Sequence, residues 1–474
     1  MSAMEGGSSH NPQPQEVLPP GNADHGTLGD KIVIALVGLP ARGKTYIAKK
    51  LQRYLSFFHG APTRVFHLET YRKKRFSERN ESDFSFLSDE TKEREVCVLD
   101  ALNDIKDFIE AGKDKGLVAI FDATDGTRCR RRWLVDELSP ILQSKSNIIF
   151  VESVCEDQTI VEQNIRATKL NLPTYHGMSE DSAIEDFRNR ILNNTSHYQT
   201  MCEADKDFSW IKTVDGGKQV VLNKIFGYLP GRIASFVMNL HTTPKSIYLT
   251  RHGESNYNVK QKIGGDTELS PHGEEFATCL ARWVQDNVVK HHPRARLWTS
   301  TLRRSIQTAR HIRHDKVLIN GESWITMRPR RWHDLDEIHA GKFDGMTYEE
   351  IAAQSPEEVA MRSRDKLGYR YPRGESYLDV FQRLETIIHE LERLRDPVLI
   401  VAHQGILRIL YGYFMWDEIK EREECPHIKI PLNEVKCLRP YAYGCTCESV
   451  TLLEFAAQHP SHPGVIANPD PPSH

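Results

Sequence analysis

Arg251-His252-Gly253-Glu254 sets a histidine beside an arginine, directly after the strand-like run at 245–250. A neutral imidazole can attack phosphorus and carry the group as a phosphohistidine. The transferring phosphoryl group spreads negative charge over its oxygens, so cations and N–H donors must surround it. Arg251, Arg304 and a second histidine, His403, suit that task, and His403 follows its own apolar run at 398–402. The leaving alkoxide needs a proton, and Glu337, in Asp336-Glu337-Ile338, is the candidate acid. A histidine pair with a glutamate could instead bind zinc. The arginine next to His252 argues against that, because it would repel a bound cation.

A second phosphate signature lies upstream. Gly38-Leu39-Pro40-Ala41-Arg42-Gly43-Lys44-Thr45 has the form G-x-x-x-x-G-K-[ST]. Gly38 and Gly43 allow a tight loop whose N–H groups, with Ala41 and Arg42 between them, point inward at a nucleotide phosphate. Lys44 can reach the β- and γ-phosphates, and the Thr45 hydroxyl can ligate Mg²⁺. Asp122, in Phe121-Asp122-Ala123-Thr124, closes another apolar run. It could hold Mg²⁺ through water or orient the attacking hydroxyl, although an aspartate after a strand is more often a cap or turn residue. Arg72, Arg94, Lys169 and Arg190 could neutralise substrate phosphates; singly, each reads as a surface charge. The first signature would add a phosphoryl group and the second would remove one. A chain with both would set the level of a phosphorylated metabolite.

These residues need strands that end at the right edge. Residues 31–37 form a short β-branched run that leads straight into the glycine loop, and Ile47, Leu51 and Leu55 then recur at helical spacing. Further strand-like runs fall at 117–121 and 147–151, with helical stretches near 98–109 and 132–142. Alternation of this kind predicts a parallel sheet covered on both faces. The runs at 245–250 and 398–402 predict a second α/β unit, with the boundary near 239–244. The chain has 474 residues, enough for about two to four domains. The expected division is a tail at 1–28, a kinase-like domain at 29–243, a phosphatase-like domain at 244–456 and a second tail at 457–474. Both tails read as disordered.

Composition excludes several classes. A formal charge of -3 and the lack of a basic, aromatic-interleaved stripe disfavour nucleic acid as a partner. No apolar run approaches the roughly 18 residues a membrane helix needs, and no secretory signal is visible. Nine irregularly spaced cysteines fit a reducing, cytoplasmic setting. Cys445-x-Cys447 is too short a pair to make a metal site alone.

Taken together, GLPARGKT, FDAT, ESVC, RHGES, IGGD, SIQTA, MTYEEI, YPRGESY, AHQG and AYGC occur in an order that resembles the bifunctional 6-phosphofructo-2-kinase/fructose-2,6-bisphosphatase family over roughly residues 30 to 450. The resemblance implies a P-loop kinase fold followed by a phosphoglycerate mutase-like histidine phosphatase. It implies ATP and Mg²⁺ as cofactors, fructose 6-phosphate and fructose 2,6-bisphosphate as substrates, and a homodimer. It assigns Lys169 to ATP, and Arg72, Arg94, Thr124 and Arg190 to fructose 6-phosphate. Around the phosphatase centre it assigns Asn258 to the transferring phosphate. Gly264, Tyr348, Arg362, Lys366, Tyr377, Gln404 and Arg408 would grip the rest of the bisphosphate sugar. Four positions depart from the family pattern: Lys73 for an arginine, Asn194 for a tyrosine, Asp125 for an asparagine, and His339 for an aspartate. The first three lie in the kinase half. They leave open a chain that is mainly a phosphatase, and, from another class, a scaffold that senses metabolites without turnover.

Overall fold

The computed structural model describes residues 30–77, 90–112, 116–142, 144–168, 179–241, 243–441 and 444–452. Both expected tails and Lys169 lie outside the described residues.

The first unit is built on strands β1 (Lys31–Val37), β2 (Thr63–His67), β3 (Leu117–Asp122), β4 (Ile148–Val154), β5 (Ser209–Val214) and β6 (Gln219–Asn223). They form one sheet in the order β2-β3-β1-β4-β5-β6, parallel except for β6. Its helices are α1 (Lys44–His59), α2 (Leu68–Ser77), α3 (Glu90–Ala111), α4 (Arg128–Leu142), α5 (Gln158–Thr168), α6 (Glu180–Thr195) and α7 (Tyr228–Asn239). β1 is buried along almost its whole length because helices cover both faces of the sheet. The chain goes from β1 to β2, returns by β3, and crosses to β4 on the other side of β1. That reversal opens a crevice at the carboxyl ends of β1, β3 and β4, where α/β sheets bind ligands.

The second unit holds β7 (Ile247–Arg251), β8 (Arg296–Thr299), β9 (Lys316–Ile319), β10 (Glu322–Ile325), β11 (Pro329–Arg331), β12 (Val398–Ala402), β13 (Glu434–Tyr441) and β14 (Gly444–Thr451). Its helices are α8 (Asn256–Val259), α9 (Pro271–Val284), α10 (Arg303–Ala309), α11 (Tyr348–Gln354), α12 (Pro356–Arg364), α13 (Tyr377–Arg393) and α14 (Gln404–Phe414). The main sheet runs β11-β8-β12-β7-β13-β14, with the first four strands parallel and the last two antiparallel. β9 and β10 form a separate hairpin. Cys445 and Cys447 lie on β14, and all nine cysteines are free thiols.

One core joins the halves. α1 and α7 of the first unit pack against α13 and α14 of the second, so Leu51, Tyr54, Phe57 and Phe236 share an apolar cluster with Phe381, Leu384, Ile388 and Tyr413. Polar contacts cross the same boundary. Lys50 Nζ donates to Glu392 at 2.8 Å and Arg53 Nε donates to the Tyr413 carbonyl at 3.1 Å, while within the second unit the Tyr413 hydroxyl donates to the same Glu392 carboxylate at 2.9 Å. Among the described residues, no helix is long and apolar enough to cross a membrane.

Candidate active sites

The first site begins where β1 ends. Gly38 sits at φ +143°, and a Cβ there would lie 2.6 Å from the Ser153 carbonyl oxygen on β4, so only glycine fits. Gly43, at φ +79°, turns the chain into α1. No side chain caps α1 and no acidic residue occupies its first turn. Its leading N–H groups and positive dipole end are therefore available to an anion. The loop is held from behind: Ser153 Oγ donates to the Arg42 carbonyl at 2.6 Å and Asn164 Nδ2 to the Ala41 carbonyl at 3.1 Å. Lys44 Nζ donates to the Gly38 and Leu39 carbonyls, both at 2.8 Å, which folds the ammonium over the loop it would serve.

Thr45 Oγ1 donates to Asp122 Oδ2 at 2.7 Å, and His67 Nδ1 meets the same oxygen at 2.8 Å. The register of β2 and β3 pairs His67 with Asp122, which places both at the sheet's edge. Burial opposes ionisation of Asp122. The His67 hydrogen bond, the Lys44 charge and the Thr45 hydroxyl outweigh it and hold the carboxyl below the usual carboxylate range. A hydroxyl and an ionised carboxylate are hard oxygen donors of the kind Mg²⁺ takes.

A cavity of about 800 Å³ opens in front of this edge. Ala41, Arg42, Gly43, Lys44, Thr45, Arg72, Arg94, Asp122 and Thr124 line it, and so do the divergent Lys73 and Asn194. Gly38 shapes the loop without lining the cavity. Arg190 lies on α6, but its side chain is outside the description. Two features were not read from the sequence. His67 is one, although a polar residue that ends a strand is a usable signal. The other is that the second unit reaches this cavity through Lys245, Glu392, Pro440 and Tyr441.

Asp125 is buried at φ +37°, and its Oδ2 accepts no hydrogen bond. Burial pushes its carboxyl up to about 7 against the opposing charges of Arg130, Arg94, Lys44 and Arg131. The extra negative charge expected from this departure is therefore only partly present at neutral pH.

The second site lies at the ends of three neighbouring strands. β7 and β12 pair in parallel, with Arg251 opposite Ala402, so the residues that follow, His252 and His403, come side by side. Their rings are 5.1 Å apart between centroids. His252 N–H donates to the Ala402 carbonyl at 3.0 Å. His252 Nδ1 lies 2.7 Å from the Gly253 carbonyl oxygen, which can only accept. The ring proton is thereby fixed on Nδ1 and the Nε2 lone pair is left for attack. Burial, reinforced by the Arg304 and Arg251 charges, holds the imidazole well below its usual range, so the ring is neutral at pH 7.

Arg251 Nη1 donates to the Ile430 carbonyl at 3.0 Å, while its buried Nε has no hydrogen-bond partner. Arg304 Nη1 donates to the Gly265 carbonyl at 2.6 Å. Glu337 Oε1 accepts from the backbone N–H groups of Ile338 at 3.0 Å and Gly405 at 3.1 Å, which seats the carboxyl on the N-terminal turn of α14. Asn258 uses its carboxamide oxygen to accept from Ser255 N at 2.9 Å, closing the turn that leads into α8.

The cleft here is strongly polar. Arg251, His252, Asn258, Gly264, Arg304, Glu337, Tyr348, Arg362, Lys366, Tyr377, Gln404 and Arg408 all line it. His403 is fully buried beside the His252 ring and is not part of the open lining. Tyr257, Lys262, Tyr369 and Tyr371 also line it and were not singled out in the sequence. Arg408 Nη1 donates to the Tyr377 hydroxyl at 3.0 Å. The Arg362 guanidinium lies 5.5 Å from the Tyr348 ring centre. Arginines fixed in this way by tyrosines, one at a hydroxyl and one over a ring, suit a multiply phosphorylated ligand.

Comparison with known proteins assigns a family to each half. Residues 23–244 match the family model for 6-phosphofructo-2-kinase, and residues 247–452 match that for the histidine phosphatase superfamily, branch 1. The chain is 41% identical over 434 residues to 6-phosphofructo-2-kinase/fructose-2,6-bisphosphatase 3 of Rattus norvegicus, covering 90% of this chain and 73% of that one. It is 43% identical over 424 residues to form 4 of the same species, covering 89% of this chain and 85% of that one. With form 1 of Mus musculus it shares 40% identity over 437 residues, covering 91% and 87%.

Proposed function

From the premise that this chain belongs to the bifunctional 6-phosphofructo-2-kinase/fructose-2,6-bisphosphatase family, we propose that it both makes and removes fructose 2,6-bisphosphate. In the first half, the loop at Gly38 and the uncapped start of α1 bind the phosphates of ATP. Lys44 leaves the loop carbonyls to follow the γ-phosphoryl group, and Arg72, Arg94, Thr124 and Arg190 hold fructose 6-phosphate with its 2-hydroxyl toward that group. Thr45 and Asp122 would hold Mg²⁺, which when bound neutralises charge on the β- and γ-oxygens.

In the second half, His252 Nε2 attacks the 2-phosphate. Arg251, Arg304, Asn258 and His403 bear the phosphoryl charge, and Glu337 gives a proton to the departing sugar oxygen. Water then attacks phosphohistidine, with Glu337 as base, and His252 is regenerated. Gly264, Tyr348, Arg362, Lys366, Tyr377, Gln404 and Arg408 hold the remaining sugar phosphate. The observation that carries this reading is the coexistence of two site geometries in one chain. One is an uncapped helix start facing a Thr45–Asp122 pair; the other is a neutral histidine with a free Nε2 among arginines.

The proposal extends to a homodimer in the cytoplasm. Leu222 on the edge strand β6, with Phe226 and Tyr228 beside it, is exposed apolar surface of the kind a second copy would cover. A reading in which hydrolysis dominates draws on Lys73 and Asn194, because both departures line the kinase cavity. Product analysis tests the proposal. Incubation with MgATP and fructose 6-phosphate should yield the 2,6-bisphosphate, and incubation with the bisphosphate should return fructose 6-phosphate and phosphate. Release of fructose 2-phosphate from the bisphosphate, or no turnover in either direction, contradicts it.

A further inference from the structure

Ser300 follows β8, the strand next to β12; the register pairs Thr299 with Val401, so Ser300 lies one residue short of level with His403, at the same strand ends. Its N–H donates to the Val401 carbonyl at 3.3 Å, which ties the two strand ends together. Ser300 Oγ lies 2.7 Å from His403 Nε2, and Ser305 Oγ lies 3.3 Å from the same nitrogen. All three side chains are buried. Ser300 Oγ already accepts the Leu302 N–H at 3.3 Å. Its own hydroxyl proton, shut away from water, needs an acceptor, and Nε2 is the one at hand. His403 Nδ1 is also buried and has no hydrogen-bond partner.

We infer that Ser300 is a positioning residue of the phosphatase: its hydroxyl donates to His403 Nε2, so the imidazole's proton stays on Nδ1, where it can bond an oxygen of the phosphoryl group on His252. This rests on the phosphatase reading above. Burial and the Arg304, His252 and Arg251 charges keep His403 neutral, so the ring has one proton and a choice of two nitrogens. The other tautomer would spend that proton on the serines and present a lone pair to phosphoryl oxygens, turning a donor into a repulsive acceptor. A second histidine beside the nucleophile is thus useful in one tautomer only, and Ser300 selects it.

The test uses the full chain as wild type, Ser300→Ala and Ser300→Thr. Nitrogen-15 NMR of histidine-labelled wild type should show His403 protonated at Nδ1 and bare at Nε2. Ser300→Ala, which misdirects a donor without deleting it, should lower the bisphosphatase kcat by roughly ten- to a hundred-fold, below the roughly hundred- to thousand-fold of losing a preorganised donor outright. Its KM should change less than two-fold, and its kinase activity, which also reports folding, should be unchanged. Ser300→Thr should recover most of the rate. A wild-type ring protonated at Nε2, or a folded Ser300→Ala enzyme with full kcat, overturns the assignment while leaving the phosphatase reading intact. If wild type itself forms no phosphoenzyme from the bisphosphate, the phosphatase reading falls and the assignment with it. Should Ser300→Ala fail to fold, the wild-type tautomer and the Ser300→Thr kcat still decide.

Discussion

Asp125→Asn should stabilise the protein, and by more at alkaline pH than at acid pH. Asp125 is buried, its Oδ2 lacks a hydrogen bond, and burial pushes the carboxyl from 3.8 up to about 7. The folded state therefore binds this proton more tightly than the unfolded chain does. Between the two values the folded state carries more protons, so stability falls as pH rises. The loss begins near the unfolded value and is complete above the folded one. Across that whole span the cost is about 4 kcal/mol, from about 1.4 kcal/mol per unit. Asparagine keeps the shape and cannot ionise. From pH 5 to pH 7 the span is about two units, so the variant's advantage should grow by roughly 3 kcal/mol and level off by pH 8. For a domain the size of the kinase half this is on the order of 5–10 °C in Tm. Calorimetry of wild type and variant at pH 5, 6, 7 and 8 measures it, because titration of other groups cancels in the difference. A constant difference across that range would show that Asp125 is ionised throughout and that the burial argument is wrong.

Other perturbations separate the two sites and test their join. Lys44→Ala should abolish kinase turnover and leave hydrolysis of the bisphosphate within about two-fold, since Lys44 belongs to the first cavity alone; equal loss of both activities in a folded variant would refute separate sites. Lys73→Arg with Asn194→Tyr should lower the kinase KM for fructose 6-phosphate by about five-fold or more, taking ~1 kcal/mol per restored contact, and leave the KM for ATP alone; no change in the sugar constant would mean that other residues have taken over. Glu392→Ala should destabilise the chain by about 3–5 kcal/mol in urea unfolding because it strands the buried Lys50 ammonium between the halves, and a change below about 1 kcal/mol would show that the pair contributes little.

The sequence made strand ends legible and left helix starts and long-range partners obscure. β1 after Lys31, β7 up to Leu249 and β12 are apolar runs with a glycine or histidine soon after, so their ends and the chemistry just beyond them could be read directly. α4 begins at Arg128 rather than near 132; its first turn is polar, and Arg131 is buried by its pairing with Asp205 and by donating to the Gln199 and Asp125 carbonyls. No apolar periodicity marks such a turn. His67 acquires meaning only through the β2–β3 register that sets it opposite Asp122. Ser300 depends likewise on β8 lying next to β12. The reach of Lys245, Glu392 and Tyr441 into the kinase cavity follows from α1 and α7 packing on α13 and α14. Reading the halves as separate units hid that arrangement. Arg251, Tyr348 and Tyr377 stood in motifs of the resembling family, and Arg304, Arg362, Lys366 and Arg408 at positions the resemblance matched; all of them line the second cleft.

The central claim is that His252 carries the phosphoryl group, with Nε2 free because Nδ1 is committed to the Gly253 carbonyl. Fructose 2,6-bisphosphate labelled in its 2-phosphate, mixed briefly with enzyme and quenched in alkali, tests it directly once the labelled peptide is mapped. The account predicts acid-labile label on His252 in the wild type. It predicts no label and almost no hydrolysis for His252→Ala, and label that lingers for Glu337→Gln. Label on another residue, or full hydrolysis by His252→Ala, would contradict it.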